Sequence, residues 1–394
     1  MTVASNGPLA GIRVLDLSRI LAGPTCSQLL GDLGATVLKV ENPGTAGDDT
    51  RQWGPAYVKD GAEDTDLSAY FMCANRNKLS VAIDIATPAG QAQIRRLAGM
   101  ADILLENFKP GGLAKYGLDF ASLATEFPRL VYCSVSGYGQ TGPNAAKPGY
   151  DLMAQGFGGM MSITGAPDGE PMKVGVGIAD VMCGMYATVG ILAALRHAEA
   201  TGQGQQIDVS LVDSQVAWTI NEGVSTRLTG KAPVRRGNGH PNIVPYDVYA
   251  TSDGHVIVAV GNDGQFRRFV GCFGLDPLAD DPRFATNGAR LTNREALAEV
   301  LEPALAARTT AAVIAALEGV RVPVGPVQTL PEVFASEQVA ARVMALDMKA
   351  GDLTLPLIGN PLKFSRTPVT YRYPPPRFGA DTARLDSEDP FAES

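Results

Sequence analysis

Three aspartates, Asp151, Asp168 and Asp180, stand in one glycine- and methionine-rich stretch, KPGYDLMAQGFGGMMSITGAPDGEPMKVGVGIADVMCGMYATVGILAAL (147–195), which carries little other charge. A carboxylate beside glycines in an apolar run is costly to bury unless it is hydrogen-bonded or chemically used. One of the three is expected to be a covalent nucleophile. Read as local structure alone, Asp168 sits in Pro-Asp-Gly, a strong turn signal. Asp180 opens an apolar helical run, where it reads as an N-cap.

Other chemistries are poorly supplied. Only three histidines occur, His197, His240 and His255, with no HExxH and no paired cysteines, so no metal site is expected. There is no GxSxG elbow for a serine hydrolase. Gly175-Val-Gly177-Ile-Ala-Asp180 lacks the third glycine of a dinucleotide loop. The first β-α turn, SRILAGP (18–24), replaces glycine-rich spacing, yet it still offers backbone N–H groups to an anion at a helix N-terminus.

The elements that must position these residues read as α/β. Ile12–Leu17 is a strand, Pro24 opens a helix to Leu33, and Thr36–Glu41 is the next strand, a β-α-β unit that implies a parallel sheet. Residues 42–68 read as a long loop. A strand at Leu79–Ile85 leads to a helix capped by Thr87, with Pro88 at its first position and Gln91 reaching back. Strands at 101–106 and 130–135 bracket a helix at Phe120–Phe127. Asp151–Met161 reads as a helix, 162–178 as glycine-rich loop and strand, and Asp180–Glu199 as a long helix stopped by Gly202. A strand at 206–210 and a helix at 211–228 follow. From Thr229 the chain is basic and rich in Gly and Pro. Residues 246–330 then read as a smaller α+β domain, with a hairpin at 247–260, helices near 265–272 and 294–317, and a strand near 322–328. From Leu330 the chain is helical again, then proline-rich.

The chain has 394 residues, 45% hydrophobic and 19% charged, with a net charge of -8. That is ordinary globular composition and disfavours nucleic-acid binding. The N-terminus has no basic n-region, and the longest apolar run (187–195) is too short to span a bilayer, so a soluble cytoplasmic protein with no membrane partner is expected. Five scattered cysteines suggest reduced thiols.

Several motifs in order, LAGIRVLDLSRILAGP, LGATVLKVE, NRNKLSVAIDI, ADILLENFKPG, SVSGYGQTGP and GYDLMAQGFGGMMSITGAPDGEP, are similar to those of the class III coenzyme A transferases. That family includes formyl-CoA transferase, carnitine CoA-transferase and the α-methylacyl-CoA racemases. The resemblance covers roughly residues 8–375. It implies a large Rossmann-like domain with a parallel sheet (1–228, completed by 331–394), a linker and small α+β domain (229–330), and an interlocked, ring-like homodimer. It implies coenzyme A and acyl-CoA as substrates, a carboxylic acid acceptor, and no tightly bound cofactor.

By the same resemblance Asp168 is the nucleophile, forming first an acyl anhydride and then a thioester with CoA. Asp180 matches an acid that the racemases use for proton transfer. Their second group, a histidine before an Asp, is Tyr150 here, with an ordinary pKa of about 10, which argues for transfer over racemisation. A racemase, or a non-catalytic CoA-binding relative, remains the alternative. For CoA the resemblance points to Ile20, Leu21, Ala22, Ile83, Asp84, Ile85, Ala86, Asn107, Phe108, Lys115, Gly137 and Tyr138. Arg76 and Lys78 are expected at its phosphates, and Asn42 and Lys109 are further expected CoA contacts. Two departures are Asn42, where relatives often carry arginine, and Ala86, where some carry lysine. RRGNGHPNIVPY resembles the branch that handles dicarboxylates, such as the succinyl-CoA:glutarate type. Arg235, Arg236 or His240 would hold a distal carboxylate, and Gly237, Asn238 and Gly239 would form a mobile loop over the site.

Overall fold

The computed structural model describes residues 7–392. Among them, one unit gathers the residues up to Met161, Lys173–Ala232 and those from Gln338 on, and a second gathers Ser162–Met172 with Pro233–Glu337.

The first unit is built on six parallel strands: β1 (Arg13–Asp16), β2 (Thr36–Glu41), β3 (Lys78–Ala82), β4 (Ile103–Glu106), β5 (Val131–Ser136) and β6 (Gln206–Ser210). Their order in the sheet is β3-β2-β1-β4-β5-β6. Every residue of β2 and β5 is buried, as a sheet covered on both faces requires. Alternation sorts the side chains. Val14, Ile103, Leu105 and Val131 face one core, and Leu15, Leu38, Leu104 and Tyr132 face the other. Each fully buried Leu or Ile contributes roughly 1.5–3 kcal/mol. The strand order reverses at β1, which places a crevice outside the carboxyl ends of β1 and β4.

Five helices matter for the site: α1 (Ala22–Asp32), α2 (Pro88–Ala98), α3 (Asp151–Phe157), α4 (Ile178–Thr201) and α5 (Leu211–Ala217). Helix α4 is long and apolar enough to cross a bilayer; in the fold its Ala179, Cys183, Ala187 and Ile191 are buried in the core that also holds Ala22, Cys26 and Leu30 of α1. Gly184 permits that packing, because a Cβ there would sit 2.5 Å from the Ala22 carbonyl oxygen. The tail runs beside β3, where Asn77 N–H donates to Tyr373 O and Ser80 N–H to the Asp381 carboxylate.

The second unit carries an antiparallel sheet of β7 (Tyr246–Thr251), β8 (Gly254–Ala259) and β9 (Val324–Pro326), ordered β9-β8-β7. Its core is Val256, Val258, Phe266, Phe269, Leu301 and Leu317.

Several expectations are corrected. The 42–68 segment contains a hairpin (Tyr57–Asp60 with Glu63–Ser68), whose polar EDTDLS strand hides the alternation. No strand forms within 162–178. That segment's first residues, Ser162–Met172, pack with the second unit and not the large one. Residues 211–228 break into α5 and a helix at Ile220–Thr229, and 294–317 breaks after Ala306, where Thr309 caps a new helix. A hairpin, Ala345–Ala350 with Leu353–Ile358, occupies a segment read as helical or irregular. Thr87 caps α2 as expected, while Gln91 donates to the Ile85 and Ala86 carbonyls and not into a capping box.

Candidate active site

The turn after β1 is held at each residue. Asp16, fully buried, accepts from Ser18 N–H (2.8 Å) and from the Ser18 and Ser27 hydroxyls (2.5 Å each). Burial opposes its charge, but Lys78 and Lys39 outweigh burial and hold the carboxyl below its usual range. Arg19 N–H donates to Asn107 Oδ1 (3.0 Å), and Asn107 Nδ2 returns a bond to Arg19 O (2.7 Å). The two strand ends at the sheet's reversal point are thereby clasped. Ile20 lies at φ 72, a left-handed conformation that β-branched residues avoid. Its N–H donates to both carboxylate oxygens of Asp48 (3.2 Å each), and Asp48 is paired with the buried Lys39 at 2.9 Å. Leu21 and Ala22 follow, buried at the start of α1.

From sequence, Arg76 and Lys78 are expected at phosphates; in the structure both side chains are buried against internal partners. Arg76 is 3% exposed and pairs with Asp32, and Lys78 is 1% exposed and donates to Asn75 Oδ1 (2.9 Å) and Pro24 O (3.1 Å). Burial pushes the Lys78 pKa down to about 8, against the pull of Asp16. Asn42 caps a short 3₁₀ turn through Gly44 N–H at 2.8 Å. Ile83 is buried, Ile85 and Phe108 pack on the same core, and Asp84 accepts from Ala86 N–H at 2.9 Å. Lys109 and Lys115 remain exposed, Lys115 with its Nζ 4.5 Å from the Tyr116 ring centroid. The Gly137 backbone lies against Gly149, and Tyr138 stacks edge-on with Phe157 of α3 at 5.3 Å.

Asp180 is not an N-cap. Gly177 holds that position and Asp180 lies in the first turn. The capping carboxylate is Asp151, which accepts from Ala179 N–H at 2.8 Å and Asp180 N–H at 3.4 Å, and also from Gln155 Nε2 at 2.7 Å. Gln155 in turn accepts from Val174 N–H at 2.8 Å. Burial, reinforced by the Asp151 charge, pushes the Asp180 pKa up to about 7, where a carboxyl can both hold and release a proton. Burial and the same acid raise Tyr70 to about 12. A Cβ on Gly177 would lie 3.0 Å from Leu21 Cδ2 and 3.7 Å from Asp180 Oδ2, so Asp180 stands beside the first turn. Tyr150 is 62% exposed.

Sequence reasoning misses Asp48 and Tyr70, which lie in segments without a motif, and Lys39, which lies within LGATVLKVE but pairs with Asp48 only through the fold. It also misses Glu106, whose carboxyl burial raises to about 7.

Asp168 belongs to the second unit. Its turn is closed by Gly169 N–H to Ala166 O at 3.1 Å and braced by Met172 N–H to Thr164 O at 3.1 Å. Asp168 is exposed, and among the described residues its carboxylate makes no hydrogen bond or ion pair. The 235–240 segment folds onto this turn. Arg235 Nε donates to Ala166 O at 3.2 Å, its Nη2 donates to Gly169 O, and Gly237 N–H donates to Gly165 O at 3.0 Å. Arg236 O accepts from Gly239 N–H, and Asn238 is exposed between them. His240 Nδ1 accepts from Asn242 N–H at 3.0 Å, and its carbonyl accepts from Arg294 at 2.6 Å. The structure thus brings Asp168, Arg235 and Gly237 together, and separately Asp180, Asp151 and Leu21. No group of three or more metal-ligating side chains occurs among the described residues.

Comparison with known proteins agrees with these motifs. A family model described as CoA-transferase family III matches residues 9–382. Succinate–glutarate CoA-transferase of Agrobacterium fabrum is 46% identical over 382 residues, covering 97% of this chain and 95% of its own. Human succinyl-CoA:glutarate CoA-transferase is 38% identical, covering 97% and 86%. Among solved structures, a CAIB/BAIF family protein from Brucella suis superimposes with a TM-score of 0.86 at 44% identity, covering 97% of this chain and all (100%) of its own.

Proposed function

The chain belongs to CoA-transferase family III, and on that footing we propose that it moves coenzyme A from an acyl-CoA donor to a dicarboxylic acid, with Asp168 as the nucleophile. The observation that carries the assignment is the Asp168 carboxylate, held without a bonding partner among the described residues, in a turn whose Ala166 and Gly169 carbonyls are pinned. Relatives named for succinate, succinyl-CoA and glutarate support a dicarboxylate acceptor.

The steps balance without a cofactor. An Asp168 oxygen attacks the thioester carbonyl, the C–S bond breaks, and CoA thiolate leaves an aspartyl–acyl anhydride. The thiolate attacks the aspartyl carbonyl, the donor departs as a carboxylate, and an aspartyl–CoA thioester remains. The acceptor carboxylate attacks that thioester and expels the thiolate. The thiolate then attacks the acceptor carbonyl of the new anhydride and regenerates Asp168. A carboxylate nucleophile suits this exchange because its own carbonyl, activated in the anhydride, can accept the CoA thiolate, which a serine or cysteine side chain has no carbonyl to do. Water must be excluded, since it hydrolyses the anhydride. The 237–239 loop is the segment we assign to that cover. The first turn with Asn107 supports CoA, and Lys109 and Lys115 are the exposed cations offered to its phosphates.

A second reading draws on Asp180. A carboxyl at about 7 suits proton exchange at an acyl α-carbon. Deuterium entering that carbon without CoA passing between acids favours this reading. The main reading is tested by incubating the enzyme with succinyl-CoA and hydroxylamine and mapping the peptides. Asp168 should carry a hydroxamate and Asp168→Ala should be inactive. Full activity in Asp168→Ala sinks the assignment.

We also assign a homodimer. Leu152 and Phe157 of α3, Val189 of α4, and Trp218, Val224 and Leu228 leave large apolar side chains exposed, Leu228 by 84%, the kind of surface a partner covers.

A further inference from the structure

We propose that Arg235 is a positioning residue for Asp168, a latch whose closed state presents the nucleophile, and not the group that holds a substrate carboxylate. The proposal rests on the reading of Asp168 as nucleophile. The geometry has three parts. First, the guanidinium spans the Asp168 turn, with Nε on the carbonyl of Ala166, two residues before the acid, and Nη2 on the carbonyl of Gly169, directly after it. Second, Gly237 N–H, two residues beyond the arginine, donates to Gly165 O at 3.0 Å, so the loop backbone repeats the clamp at the turn's entry. Third, the stem of Arg235 crosses Gly165, which lies at φ +121. A Cβ there would sit 3.3 Å from Arg235 Cδ and 3.0 Å from Glu170 O.

A planar fork on two carbonyls fixes orientation in a way that a single ammonium cannot. With both carbonyls held, the Ala166–Pro167 and Gly169–Glu170 peptide planes that bracket the Pro167-Asp168-Gly169 segment cannot rotate freely, and the attacking carboxylate keeps its aim. The same bonds tie that aim to the 235–239 loop. When the loop lifts, Arg235 and Gly237 leave together and the turn is released. Nucleophile presentation and loop closure become one event, which confines the reactive carboxylate geometry to the covered state.

The test separates a latch from a substrate clamp and from the nucleophile reading itself. Arg235→Gln, Arg235→Lys and the unaltered enzyme are compared with succinyl-CoA and two acceptors, one dicarboxylic and one monocarboxylic. A latch predicts that Arg235→Gln lowers kcat on the order of 10²-fold for both acceptors, leaves both KM values within about twofold, and slows hydroxamate formation at Asp168 equally. Arg235→Lys should recover part of the rate, and amide exchange at Gly237 should quicken in Arg235→Gln. A KM increase confined to the dicarboxylate overturns the latch in favour of a substrate clamp, as does a normal rate of Asp168 labelling in a folded Arg235→Gln. Thermal unfolding establishes that the variant is folded, and if it is not, Arg235→Lys with the same kcat-against-KM reading decides. If the unaltered enzyme gives no Asp168 adduct at all, the nucleophile reading falls and takes the latch with it.

Discussion

Asp151 caps the helix on which Asp180 sits. One carboxylate accepts the backbone N–H groups of Ala179 at 2.8 Å and Asp180 at 3.4 Å, and its charge helps to keep the Asp180 side chain protonated. Burial is the larger cause of that shift. The cap supplies the repulsion that makes a neutral Asp180 the stable partner.

This pairing has a pH signature. The Asp180 pKa rises from 3.8 to about 7 on folding, so between those values the native state holds a proton that the unfolded state has released. Stability from this group is complete below pH 3.8 and is lost as pH rises toward 7, with a slope of at most about 1.4 kcal/mol per pH unit. Asp180→Asn should flatten the stability curve over that window in urea titrations at stepped pH. An unchanged slope would remove Asp180 as its source.

Removing the cap exposes its structural part. Asp151→Ala leaves the Ala179 and Asp180 N–H groups and the Gln155 amide without their acceptor, and should cost about 1–3 kcal/mol by thermal or chemical unfolding. Asp151→Asn keeps an acceptor oxygen, so it should cost less while lowering the Asp180 pKa, read by carboxyl NMR titration.

The cations divide into two kinds. Arg76→Ala abandons Asp32 in the core and should destabilise by about 3–5 kcal/mol, with the KM for acyl-CoA unchanged in the folded fraction. Lys109→Ala and Lys115→Ala should do the reverse, with unfolding midpoints unmoved and a KM for acyl-CoA raised several-fold in a salt-dependent manner. A large KM change in Arg76→Ala would overturn its assignment as structural.

Asp48 supports the first turn through Ile20. Asp48→Ala leaves Lys39 buried and unpaired, a loss of about 3–5 kcal/mol, and frees the Ile20 N–H from the bond that holds its left-handed backbone. Weaker acyl-CoA binding by calorimetry is expected alongside the stability loss. Full affinity would separate the turn from CoA recognition.

The exposed apolar surface predicts its own outcome. Val224→Asp with Leu228→Asp should shift sedimentation from dimer to monomer without lowering helicity. A pair of variants that sediments like the unaltered protein would place the interface elsewhere.

Much of this protein is decided locally, and that part is legible in the sequence. The β1 and β2 strands, the Thr87 cap with Pro88, the Gly202 stop and the Pro-Asp-Gly turn each follow from preferences of a few neighbouring residues. The motifs around Asp168 and the first turn identify the family because they are short and contiguous. Tertiary structure decides where charge is buried and who its partner is. In NRNK, Arg76 and Lys78 read as phosphate partners, yet Arg76 closes on Asp32, 44 positions earlier, and Asp32 is completed by Asn360, 328 positions later. Asp151 is one of three candidate acids in the sequence, and the fold sets it against Ala179; Arg235 is one of several basic residues in a loop, and the fold sets its fork on the carbonyls of Ala166 and Gly169. The physical reason is common to all three. A charged group's role depends on the desolvation it suffers and the partners that offset it, and both are supplied by residues that chain proximity does not bring near.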